Sequence, residues 1–89
     1  MAEDSPKQRS DISIRTIEGQ TLILDRAAEQ IHRLNPTASL IWARCDGHRT
    51  ISEIAEELTG FFDVDLETAC EAVHTTLHRL DELGLLDHA

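Results

Sequence analysis

Apolar residues recur at every second position near the start of the chain and at every third or fourth position after it. Ile12, Ile14 and Ile17 alternate with polar residues, Glu18-Gly19 reads as a turn, and Thr21 to Leu24 is a run of β-forming residues that stops at Asp25. Gln30 to Leu34 supplies a third short strand, joined to the second by Arg26-Ala27-Ala28-Glu29. Within two residues the period then changes. Asn35 can accept a hydrogen bond from a free amide of a first helical turn, and Pro36 suits the first helical position, where its missing N–H costs nothing. Ala38, Ile41, Trp42 and Cys45 follow on one face, and Gly47 is placed to supply a left-handed cap.

Two more helices are predicted downstream. Thr50 and Glu53 have capping-box spacing ahead of the stripe Ile51, Ile54, Ala55 and Leu58, with Gly60 as the stop and Phe61 and Phe62 folding back onto the stripe. Asp65 can cap a third helix carrying Leu66, Ala69, Val73, Leu77, Leu80 and Leu83, which ends at Gly84 and spans about 27 Å at ~1.5 Å per residue. The expected helices lie at 36–45, 51–59 and 66–83, with Trp42 and Leu77 buried; Leu85 and Leu86 pack the last helix end or add a short strand. Strands first and helices afterwards give an α+β, winged-helix-like domain, a three-stranded antiparallel sheet followed by three helices. Residues 1–10 are polar and aperiodic and read as a disordered tail, leaving 11–87 as the folded domain.

Composition removes several classes of function. The chain has 89 residues, enough for one small domain, and two cysteines, enough for one disulfide at most. No segment is apolar and long enough to span a bilayer, and Met1 to Ser10 lacks the apolar run of a signal peptide, so the cytoplasm is the default location and no membrane partner is expected. Seventeen acidic side chains stand against eight basic ones, a net charge of -9 that repels nucleic acid.

The segments RLNPTASLIW, CDGHRTISEIAEEL, FDVDLETACEAV and LDELGLL together resemble the PqqD family of peptide chaperones, the precursor-recognition domains of ribosomally made, post-translationally modified peptides. The resemblance covers 21–86. It implies three strands followed by three helices, no catalysis and no cofactor, and capture of a precursor's leader peptide for delivery to a modifying enzyme, often a radical-SAM protein. An edge strand has unpaired main-chain groups that an extended peptide can satisfy. In the family that edge is the third strand, which here is Gln30, Ile31, His32, Arg33 and Leu34, and the neighbouring third helix would contribute Cys70, Val73, His74, Leu77 and Asp81 as groove lining. Family members often lead into the Leu-Asn pair with a glycine and aromatic residues, where this chain has Glu29, Gln30, Ile31 and His32; the departure bears on which leader is read.

Sharper chemistries are weaker. Cys70, His74 and His78 recur every four residues, but about 40° of rotation per step carries His78 away from the core stripe, and a closed zinc site needs four converging ligands. Ser39, His48 and Asp46 offer the residue types of a triad without a pocket to align them. Trp42, beside Ile41, is a core residue rather than a base-stacking platform, and Glu53, Glu56 and Glu57 form either a solvated face or an attraction for a basic partner. The alternative to peptide binding is a winged helix-turn-helix regulator that binds DNA or protein. Its recognition helix would bear Glu67, Glu71, Asp81 and Glu82 against Arg79, the wrong sign for phosphates.

Overall fold

The computed structural model describes residues 5–87. Within them the chain forms β1 (Ser13–Ile17), β2 (Gln20–Asp25) and β3 (Gln30–Leu34), then α1 (Pro36–Ala43), α2 (Ile51–Phe61) and α3 (Leu66–Glu82). The sheet is antiparallel in the order β1-β2-β3, so β1 and β3 are its edges. Glu18 and Gly19 both take positive φ, 50° and 78°, which makes the β1–β2 connection a two-residue type I′ turn whose twist matches that of the strands.

Each helix begins as its sequence dictates. The Asn35, Thr50 and Asp65 side chains accept from the amides of Ala38, Glu53 and Thr68, and Glu53 completes a capping box by accepting from the Thr50 amide. The bond from the Thr68 amide holds the Asp65 carboxyl below the usual carboxylate range. Between sheet and helices lies a core built on Ile23, Leu34, Ile41, Trp42, Ile54, Leu58, Val73, Leu77, Leu80 and Leu85, with Trp42 2% exposed.

Five local expectations fail for identifiable reasons. Gly60 does not stop α2: the Phe62 amide still reaches the Leu58 carbonyl, so the helix runs through to Phe61. Phe62 packs on the core, but Phe61 is exposed, with the Arg44 guanidinium 5.8 Å from its ring centre. Gly47 does not cap α1, which ends on right-handed Arg44; its φ of +84° instead turns the next segment, and a Cβ there would stand 3.3 Å from Lys7 Cδ. Ile14 and Ile17 remain exposed because β1 packs against β2 alone.

The fifth concerns the expected tail. Residues 1–4 lie outside the described residues, but 5–10 are ordered between two distant parts of the chain. The Gln8 amide donates to the Cys45 carbonyl and the Gly47 amide to the Pro6 carbonyl on one side; the Arg9 amide donates to the Leu85 carbonyl and the Asp87 amide to the Lys7 carbonyl on the other. The resulting antiparallel bridges, Lys7 with Asp46 and Gln8 with Leu86, give Leu86 its expected strand partner. Arg9 fastens the arrangement, reaching Asp11, the buried Asp25 carboxylate at 3.0 Å and the Gly84 carbonyl at 2.9 Å.

Candidate functional site: the open edge of β3

The type I′ turn makes Ile17 and Gln20 a hydrogen-bonded pair, and bonded and non-bonded pairs alternate along antiparallel strands. Gln20, Leu22 and Leu24 therefore bond toward β1, and Thr21, Ile23 and Asp25 face β3. Their partners Leu34, His32 and Gln30 face β2 in turn, which leaves the N–H and C=O groups of Ile31 and Arg33 directed at the open edge. Ser39 fixes the same phase independently. Its hydroxyl accepts from the Thr21 amide at 2.9 Å and donates to the Leu34 carbonyl at 3.1 Å, bridging β2 and β3 where they diverge. No described strand pairs with the outer side of β3.

The β3 side chains divide between two faces. Leu34 is buried and His32 half-buried on the helix side, where His32 Nε2 has no hydrogen-bond partner among the described residues. Ile31, 70% exposed, and Arg33 project from the opposite face, and Gln30 is exposed at the start of the strand.

The expected α3 residues are not beside β3. Val73 and Leu77 are buried core positions, and Cys70 is half-buried against the same cluster. His74, Leu77 and Asp81 line an open hollow of about 450 Å³ together with residues 5–7, Ile51, His78, Leu86 and Asp87, and no β3 residue borders it. On the other flank of α3, Ala72, Thr75 and Thr76 face Asn35, the residue that follows β3, and Thr37 and Ala38 of α1 across a second hollow of about 390 Å³. Helical spacing reveals which residues share a flank; which flank meets the sheet depends on how α1 and α2 cross α3.

The other candidate chemistries are separated by the same geometry. The Ser39 hydroxyl is committed to main chain; Asp46 accepts from the His48 amide, which keeps its carboxyl low, and pairs with Arg49. Among the described residues no three metal-ligating side chains converge, and His78 Nε2 lies 2.9 Å from Glu82. Both thiols are free, and burial pushes that of Cys45 up to about 12. Glu57 carries ion pairs to Arg44 and Arg49 and Glu53 serves its cap, so little of the acidic face of α2 is uncommitted. No described helix is long and apolar enough to cross a membrane.

The model of the family described as coenzyme PQQ synthesis protein D (PqqD) matches residues 20–86. The chain belongs to the PqqD family. None of the curated proteins matches it. Among solved structures, this PqqD-family chain is similar to TbiB1 in complex with the TbiA(beta) leader peptide, with 19% identity and a TM-score of 0.83 over 93% of this chain and 96% of that one. It is equally similar in fold to lasso peptide synthetase B1 complexed with the leader peptide, with 24% identity and a TM-score of 0.83 over 94% and 99%. It also resembles part of the heterocyclase TruD, at 24% identity and a TM-score of 0.68, over 97% of this chain but 12% of that protein. These likenesses establish that the PqqD-family fold seen here, three antiparallel strands followed by three helices, recurs almost end to end in two of those proteins.

Proposed function

We propose that this PqqD-family chain binds the leader region of a ribosomally made precursor peptide by strand addition to β3 and presents it to a peptide-modifying enzyme, without catalysing the modification. The observation that carries the reading is the open β3 edge, where Ile31 and Arg33 offer two donors and two acceptors in one line. That two proteins of the same fold were solved with leader peptides supports it. β3 is a better acceptor than β1 because β1 has no helix beside it, whereas β3 leads directly into the hollow formed with α3. A peptide antiparallel to β3 passes Leu34 with its N-terminal portion, which then rests against Ala38, Ala72, Thr75 and Thr76. The modifying enzyme that the family implies is often a radical-SAM protein, and the work belongs in the cytoplasm, where ribosomes release the precursor.

The test is a titration of leader peptides from neighbouring precursor genes into isotope-labelled protein. A cognate leader shifts the Ile31 and Arg33 amides together with those of Thr75 and Thr76. A confirmed leader that moves α2 and leaves these four unmoved refutes the placement.

A further inference from the structure

The outer face of the sheet continues the β3 edge, and its side chains are ordered by register. Arg15, Leu22 and Arg33 stand in one cross-strand row, and Ser13, Leu24 and Ile31 in the next. Although the chain carries a net charge of -9, neither Arg15 nor Arg33 has an ion-pair partner among the described residues. Glu18 shares a shallow hollow with Arg33, Ile17, Gln20 and Leu22 but forms no ion pair with it. Next to this unpaired guanidinium, Ile31 is the most exposed of the large apolar side chains described. Both flank the unfilled side of the row, where a fourth strand would place its own side chains.

We infer that the peptide received by β3 carries an acidic residue opposite Arg33 and an apolar residue opposite Ile31. The inference rests on the strand-addition reading and adds the chemistry of the peptide. Directly opposed residues of an antiparallel pair have Cβ atoms about 4.5–5.5 Å apart on the same face, within reach of a carboxylate for Arg33 and of an aliphatic side chain for Ile31. Because the peptide runs against β3, the residue opposite Arg33 comes first. The next residue, opposite His32, points to the helix side, and the one after it meets Ile31. The pattern, read from the N-terminus, is acidic, any, apolar. Each of the two pairs is worth about two- to five-fold in affinity. Arg15 lies two strands further from the peptide, roughly 10 Å beyond Arg33, and takes no direct part.

A random-sequence peptide display library selected against the full chain tests this, using wild type, Arg33→Glu and Arg15→Glu after each is shown to melt normally. Enriched peptides are then titrated individually and their amide shifts recorded. Wild type should enrich Asp or Glu two positions before an apolar residue. Arg33→Glu should replace the acid with Lys or Arg, and Arg15→Glu should leave the preference alone. Neutralising the acid in a selected peptide should weaken wild-type binding two- to five-fold and binding to Arg33→Glu not at all. Peptides that shift the Ile31 and Arg33 amides yet show no acidic preference, or the same preference with Arg33→Glu, overturn the inference and leave strand addition standing. If no enriched peptide moves β3, strand addition falls and the inference falls with it.

Discussion

Proline scanning along β3 reads the phase of its hydrogen bonds directly and needs no ligand for its first half. At His32 the lost amide is one that faces β2, and its acceptor is the carbonyl of Ile23, a residue with no solvent exposure. The lost bond costs about 0.5–1.5 kcal/mol and the stranded buried carbonyl a further 1–3 kcal/mol, so roughly 2–4 kcal/mol in all. For a domain of this size that lowers the melting temperature by about 10–25 °C. At Ile31 and Arg33 the lost amide faces solvent in the free protein, and both side chains are exposed. Proline at either should therefore cost under about 1 kcal/mol, since an edge strand tolerates it on the open side. Binding reverses the order: proline at 31 or 33 removes a donor needed by the added strand, a loss of about 1–3 kcal/mol, or roughly five- to 150-fold in affinity. Thermal melts of the three proline variants, each compared with alanine at the same position to subtract side-chain effects, give the first pattern, and calorimetric titration with a leader peptide gives the second. A low-melting Ile31→Pro beside a normal His32→Pro would show that the ladder runs in the opposite phase and that the edge described here is not the one on offer.

Ser39→Ala leaves the buried Thr21 amide and the Leu34 carbonyl without their shared partner and should destabilise the fold by about 1–3 kcal/mol, read from denaturant melts; an unchanged midpoint would mean the strands close on each other without the hydroxyl. Cys45 should resist alkylation in the folded protein and react on denaturation. Its folded pKa of about 12 lies above the ordinary 9.0, so the native state holds the proton that the unfolded state releases, and stability should be constant in this respect below pH 9 and decline from there toward pH 12; Cys45→Ala, measured across that range, should flatten the decline. Duplex DNA should not be retained at physiological salt, given the charge of α3, and a sequence-specific shift in a gel under those conditions would revive the regulator reading.

Much of this architecture is written in local chemistry. Asn35-Pro36, the Thr50/Glu53 box and Asp65 each start a helix where the sequence places it, because caps act within four residues. β3 was legible as a strand, yet the division of its residues between fold and edge required the register with β2, set by the Glu18-Gly19 turn more than ten positions away. The pairing of residues 6–9 with 45–47 and 85–87 was invisible for the same reason: strand partners so far apart leave no periodic trace in a short polar segment. The α3 half of the expected groove depends on which flank of the helix borders which element. Cys70, His74 and Asp81 share a flank by helical spacing, but only the path of the whole chain decides that His74 and Asp81 border the N-terminal segment while Ala72, Thr75 and Thr76 border Asn35 and the start of α1.

The hydrogen bond from Asp87 to Lys7 has a consequence for engineering. It brings Asp87, the last described residue, within 2.8 Å, donor to acceptor, of Lys7, two residues from the first, with neither Ile31 nor Arg33 involved in fastening them. A unit whose entrance and exit adjoin can be spliced into a loop of a host protein without stretching the host, or have its ends joined and be reopened elsewhere, for instance at Arg26–Glu29. Either construction would leave the β3 edge free, so that peptide capture could be transplanted as a cassette, and the tether to a chosen enzyme would set the local concentration of the captured peptide.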